Sequence, residues 1–339
     1  MMETFINPYT DYGFKKLFGT EQNADLLISL LNALICEDGD KDPIVSISYK
    51  NVEHIGEINT MRSSWFDVFC QTQSGAEFIV EMQNGKEIYF KDRSLYYATI
   101  PIQEQGKKGY AKAEEENRAW RKKMAEIGEW IKEEEKKPRK GWNFRLKDVY
   151  LVAMLNFVFP GNEYPANEYF HKIKLMDVKD KHVFYDKLTL IYLEMPKLHN
   201  TEFKLDTMRD KWMYALYSLI YAEKQPPELE EDIFQKFFYE ARLANFNESQ
   251  LFSYQVSLIS MWDSYNVWEC ANQEGREKGR EEGREEGREE GREEGREEGR
   301  EEGAKIKALE VAHNLRSIGM DINAIAQATG LTLEEIQNN

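Results

Sequence analysis

No run of this sequence is apolar for long enough to cross a membrane. The longest, Val149 to Phe159, is well short of the ~20 residues a spanning helix needs and reads as a buried strand. Met1 to Lys16 carries no basic patch followed by an apolar core, so no secretory signal is expected. Cysteine is scarce. Cys36, Cys70 and Cys270 are odd in number and widely scattered, which excludes a disulfide framework and suits reduced thiols in a cytoplasmic protein. None lies beside a second cysteine or a histidine at zinc-ligand spacing. The five histidines (54, 171, 182, 199 and 313) are scattered and read as structural or exposed. Nucleophile elbow, phosphate-binding glycine loop and dinucleotide fingerprint are all missing.

Excess positive charge is missing too. The net charge is −16, which argues against a general nucleic-acid binder, because phosphate contacts need Lys and Arg. The deficit is uneven. Glu274 to Gly303 holds fourteen acids against eight bases, whereas Lys107 to Lys147 holds fourteen bases against eight acids. An acidic total therefore leaves room for a basic working surface.

What is present suits a folded core: 41% of residues are hydrophobic and 13% aromatic. Three domains are expected: a globular body over 1–272, a tandem Gly-Arg-Glu-Glu repeat over 273–303, and a helix-turn-helix-like tail over 304–339. In the body, Thr10 to Gly19, Asn23 to Ile35, Arg93 to Ile102, Tyr110 to Lys140, Trp212 to Tyr221 and Glu231 to Phe246 read as helices. Ile44 to Tyr49, Trp65 to Thr72, Glu77 to Gln83, Asp148 to Phe159 and Leu188 to Leu193 read as strands. Such alternation favours an α/β or α+β layer fold.

Two strands carry acids in apolar company. Alternate residues of a strand face opposite ways, so Phe78, Val80 and Met82 share one face while Glu81 and Gln83 share the other with Ile79. Asp67 interrupts Phe66-Asp67-Val68 in the same manner. Buried acids are costly unless paired or metal-bound. A divalent cation held by Asp67 and Glu81, with Gln83 aimed at the same point, would compensate them. Hard oxygen ligands of this kind suit magnesium (Mg2+) or manganese. The bland alternative puts both acids at strand ends facing water. The metal site also sets a geometric condition, because Asp67 must lie opposite Glu81 or Gln83. A two-residue turn at Ser74-Gly75 would place it opposite Met82, so an odd-length connection or a bulge is expected.

These residues also carry a resemblance. Thr10-Asp11-Tyr12-Gly13-Phe14-Lys15-Lys16-Leu17-Phe18-Gly19 resembles the opening motif of the recombination-promoting nuclease and transposase family of the PD-(D/E)XK nuclease superfamily. Phe66-Asp67-Val68 with Ile79-Val80-Glu81-Met82-Gln83 is similar to its central D…ExQ motif. Arg93-Ser94-Leu95-Tyr96-Tyr97 is similar to its Arg-x-x-Tyr-Tyr helix, and Gln105 with Gly109 to its Gln-x-x-x-Gly. Trp142-Asn143-Phe144, Leu155-Asn156-Phe157 and Leu190 to Lys197 extend the likeness.

The resemblance implies a restriction-endonuclease-like mixed sheet flanked by helices. It also implies a magnesium-dependent DNA endonuclease tied to recombination or mobile elements. Asp67 and Glu81 would ligate metal, Gln83 would fill the third motif position, and Asp11 would be the acid of the first helix. Arg93, Tyr97 and Gln105 would meet the substrate, DNA. For Arg93 a structural pairing with the acids is an equal alternative. Two departures stand out. The superfamily usually has Lys where this chain has Gln83 and Pro where it has Phe66, and the loss of the lysine implies weak or manganese-preferring cleavage. The charged stretch of about 110–140 also looks like an insertion, either gripping the DNA backbone or simply solvated.

In the repeat, glycine recurs every fourth residue from Gly275 to Gly303. Each costs a helix ~1 kcal/mol relative to Ala, while Glu-to-Arg pairs such as Glu281 with Arg284 recover only ~0.2–0.5 kcal/mol. A frayed spacer and a helix with a spiral glycine groove, open to self-association, both remain. In the tail, Ala304 to Leu315 and Asp321 to Thr329 read as helices, with Asp321 as N-cap. Gly330 turns the chain, and Thr332 with Glu335 forms a capping box for a last helix. That last helix is acidic, which favours protein contact or homo-oligomerisation over base reading. Besides the nuclease, two readings stay open: a degenerate nuclease fold kept as a DNA- or protein-binding scaffold, and a repeat-driven interaction protein.

Overall fold

The computed structural model describes residues 4–36, 39, 41–50, 66–127, 141–161 and 164–338. The chain divides into two compact units, Met1–Tyr265 and Asn266–Asn339.

The first unit is built on a mixed six-stranded sheet. Its strands are β1 (Ile47–Tyr49), β2 (Val68–Thr72), β3 (Glu77–Gln83), β4 (Val149–Leu155), β5 (Phe170–Met176) and β6 (Val183–Glu194), in the order β1-β2-β3-β4-β6-β5. The centre is parallel, β3 to β4 and β4 to β6, while β1, β2 and β5 join antiparallel. Every residue of β4 is buried, as its unbroken apolar run requires of a strand covered on both faces.

One face of the sheet (Val68, Phe78, Val80, Val152, Leu193) packs under α1 (Asp11–Phe18), α2 (Ala24–Ile35), α4 (Met208–Tyr221) and α5 (Asp232–Ala241). Phe14, Phe18, Trp212, Phe234 and Phe237 fill that layer. The other face (Phe69, Ile79, Leu151, Ala153, Leu155, Tyr192) lies under Phe66, Phe157, Phe159 and the first turns of α3 (Phe90–Ile127).

The structure departs from the sequence expectations in two places and takes one of two open readings in a third. Arg93 to Ile102 and the start of the 110–140 segment belong to one helix, α3, which passes through Pro101, Gly106 and Gly109. Trp142 explains the glycines. A Cβ on Gly109 would stand 2.4 Å from Trp142 Cδ1 and 2.5 Å from its Nε1, so the ring needs the space that glycine leaves. Tyr110 and Phe144 complete this aromatic lock. Secondly, β5 is a strand that alternation alone did not reveal. Lys172 and Lys174 fall within it, as suits an edge strand guarded against further pairing. Thirdly, α6 (Glu248–Ser317) is helical throughout the glycine repeat. Trp65, His54 and residues 128–140 lie outside the described residues.

The second unit holds the repeat and a small core where the end of α6 meets α7 (Ile322–Thr329) and α8 (Leu333–Gln337). Ala312, Ile325, Leu331 and Ile336 are buried there. The capping pattern is as the sequence predicts. Asp321 accepts from the Asn323 and Ala324 amides, Gly330 has φ +72°, and Thr332 and Glu335 form a reciprocal capping box. Lys305 adds a 2.7 Å ion pair to Glu335. Among the described residues no helix is long and apolar enough to cross a membrane.

Gly109→Ala should improve local helix propensity and still destabilise the protein by ~1–3 kcal/mol, because the added methyl strikes a held indole. Thermal unfolding checks this. A melting temperature raised by the substitution would show that the Trp142 lock is not needed.

Candidate active site

The site begins with the β2–β3 hairpin. Thr72 and Ala76 close it, and Gln73-Ser74-Gly75 form a three-residue connection with Gly75 at φ +89°. The odd loop sets the register Val68 to Val80, and one step further it brings Asp67 opposite Glu81. That is the side-sharing arrangement a two-residue turn would have prevented. Gly75 suits the loop because its positive φ is strained for any residue with a Cβ.

Asp67 stands just before β2, where the ladder to β3 ends. Its Oδ2 accepts the Met82 amide at 2.8 Å. Lys15 of α1 lies 3.8 Å from the other Asp67 oxygen and 2.6 Å from Asp11. Asp11 reaches the Asp67 carboxyl as well, so α1 delivers both an acid and a base to the strand end. Glu81 is more enclosed, with 7% of its side chain exposed, and its nearest described cation is Arg93 Nη2 at 3.8 Å. Burial, then the proximity of Asp67, pushes the Glu81 carboxyl up to about 8. Burial also raises Asp67, to about 6, against the pull of the Met82 amide and Lys15.

Two other buried acids show what compensation looks like. Glu77, on the same face of β3, pairs with Lys50 and accepts from Gln105 Nε2 at 3.0 Å. Glu194 at the end of β6 takes His171 Nε2 at 2.7 Å, Lys197 Nζ at 2.8 Å and the Phe159 amide at 2.8 Å. Among the described residues Glu81 has no comparable partner set. That contrast marks the Asp67–Glu81 pair as the place where the sheet buries acids that the described residues do not compensate.

Arg93 links the pair to α3. Its Nη2 donates to Gln83 Oε1 at 2.5 Å and its Nη1 to Glu87 at 2.5 Å, while its Nε is buried without a hydrogen-bond partner among the described residues. Gln83 Nε2 donates in turn to the Gly85 carbonyl at 3.0 Å. Tyr97 supports the guanidinium from 5.6 Å and packs edge-on against Phe66.

Asp11, Asp67, Glu81, Gln83, Arg93 and Tyr97 thus form one linked cluster. Gln105 stands apart, at the Glu77 end of β3, where its Oε1 accepts the Lys147 amide at 2.7 Å and fastens the segment entering β4. Sequence reasoning missed Lys15, Glu77 and Glu87. Only Lys15 had a local signal, its i,i+4 spacing from Asp11 on a helix.

Among the described residues no group of three or more His, Cys, Asp or Glu side chains is arranged to hold a metal ion. The Asp67–Glu81 pair still fits one chemically. Magnesium accepts one or two carboxylates and keeps the rest of its shell for water and phosphate oxygens, and two under-compensated acids are such a donor set.

The comparisons with known proteins bear on this arrangement. The family model described as PD-(D/E)XK nuclease family transposase matches residues 8–119 and 125–271, and so covers every residue of the cluster. No curated protein and no solved structure gave a match.

Both acids hold protons in the folded chain at pH values where the unfolded chain would release them. Stability should therefore fall as pH rises from about 4 through about 8, by up to ~1.4 kcal/mol per pH unit for each proton held. Glu81→Gln should flatten this slope and make the protein more stable than wild type at pH 8. Denaturant titrations at pH 5.5 and pH 8 in chelator test it, and a slope unchanged by the substitution would contradict the assigned burial cost.

Proposed function

The chain belongs to the PD-(D/E)XK nuclease family transposases, and from that premise we propose that it is a divalent-metal-dependent DNA endonuclease acting in recombination or mobile-element biology. The observation that carries this reading is the Asp67–Glu81 pair, facing each other from adjoining strands with both carboxyls raised by burial. A fold kept only as a scaffold gains nothing from retaining two acids that cost it stability, whereas active sites commonly do so.

Asp67 and Glu81 would hold the ion, magnesium or manganese. When bound, a divalent cation supplies Lewis-acid polarisation of the scissile phosphate and acidifies a water near it. The chain's own groups do the positioning. Glu81 and Gln83 orient the attacking water from one side of β3, with Gln83 held in place by Arg93 and the Gly85 carbonyl. Arg93, whose Nε has no acceptor among the described residues, would serve a phosphate oxygen. Asp11 and Lys15 fix the position of Asp67 from α1. Gln83 is neutral and cannot offset charge developing on the phosphate, so cleavage is expected to be slow or to prefer manganese.

Asp67→Ala should abolish metal-dependent nicking of supercoiled plasmid, and Asp67→Asn, which keeps an acceptor for the Met82 amide, should do the same without loss of fold. Calorimetric titration with manganese should show binding to the wild type and none to Asp67→Asn. Undiminished nicking by both variants would refute the assignment. A folded wild type that binds neither magnesium nor manganese would instead favour the scaffold reading.

A further inference from the structure

Between β3 and α3 the chain leaves two large apolar side chains in water. Ile88 is 81% exposed and Tyr89 is 70% exposed. Two turns further along α3, Tyr96 is 56% exposed. Tyr89 is the residue before α3, its carbonyl taken by the Arg93 amide, and Arg93 and Tyr96 follow it at i+4 and i+7, spacings that lie along one side of a helical turn. The segment is fastened at both ends. Gln83 Nε2 holds the Gly85 carbonyl, Asn156 Nδ2 donates to Asn84 Oδ1 at 2.6 Å, Arg93 Nη1 holds Glu87, and the Arg93 amide donates to the Tyr89 carbonyl at 3.0 Å. Ile88 and Tyr89 are thus presented from an anchored loop that opens directly from the carboxylate site.

Apolar surface in water is unfavourable, and beside a cluster proposed to handle phosphate it offers a face to an apolar occupant. The apolar part of a nucleic acid is the base face. In continuous duplex those faces are spent on the neighbouring base pairs, and only an unpaired base presents one to a protein. Resting on the nuclease reading of the same cluster, we propose that Ile88 and Tyr89, continued by Tyr96, form a stacking wall for an unpaired base next to the scissile phosphate. The substrate class is then DNA interrupted by unpaired bases, such as a bubble, a flap or a single strand, in preference to uninterrupted duplex.

The test uses the full chain carrying Asp67→Asn, in chelator, so that no strand is cut. Fluorescence anisotropy compares 20-mers of one composition as perfect duplex, as duplex with a three-base bubble and as single strand. A 2-aminopurine at the unpaired position reports stacking. The bubble should bind roughly tenfold more tightly than the duplex, the order expected for one stacked base, and the 2-aminopurine signal should be quenched. Tyr89→Ser should abolish both effects, while Tyr89→Phe should retain them. Equal affinity for duplex and bubble, or a preference and quench that persist in Tyr89→Ser, would overturn the proposal. Binding is measured apart from cleavage, so the two readings fail separately. Tyr89-dependent bubble binding in a wild type that never cuts sinks the nuclease alone. Metal-dependent cutting with no bubble preference sinks the stacking wall alone.

Discussion

Like charges resist being brought together in a medium that cannot screen them, and the sheet brings two together at Asp67 and Glu81. The surrounding structure makes that tolerable. A three-residue loop sets the strands in register, the Met82 amide takes one Asp67 oxygen, Lys15 stands off the other, and Arg93 approaches Glu81 without closing on it. Much of the first unit can be understood as support for this juxtaposition. The parallel core strands β3, β4 and β6 fix the floor, α1 brings Asp11 and Lys15 to one side, and α3 brings Arg93 to the other.

Charge elsewhere in the sheet is treated differently. Glu77 and Glu194 are as deeply buried as Glu81, yet each is closed off by cations and donors that leave nothing for a ligand. The Glu77 cluster ties α3 to the start of β4 through Gln105, and Trp142 seated on Gly109 repeats that tie one turn later. The Gln-x-x-x-Gly spacing on α3 is thereby accounted for as a clasp, two contacts on one side of a helix that hold a single neighbouring segment.

How far the sequence could be read follows from the range of the interactions involved. Strand faces repeat every two residues, so the shared side of Glu81 and Gln83 was legible, and the need to bring Asp67 onto that side made even the loop parity legible. Capping is equally local, hence the close agreement at Asp321, Gly330 and Thr332. The continuity of α3 was not legible. Its glycines are unfavourable by any local measure, and what offsets them is an indole more than thirty residues away. β5 was hidden because lysines interrupt its apolar residues, which is good protection for an edge and a poor strand signal. The Arg93–Gln83 contact and the partners of Glu77 depend on tertiary placement, which no motif spacing encodes.

The hydrogen bond from Met82 gives Asp67 a structural duty beside the metal-holding one proposed for it. β2 begins only at Val68, and the Asp67 side chain occupies the acceptor position that an earlier strand residue would have filled. Drift toward an inert descendant is steered by that double role. Most replacements at this position would strand a backbone donor and erode the fold together with the proposed chemistry. A carboxylate-to-amide exchange keeps the acceptor and sheds the charge, so it is the narrow route along which a lineage of such proteins could fall silent while still folding.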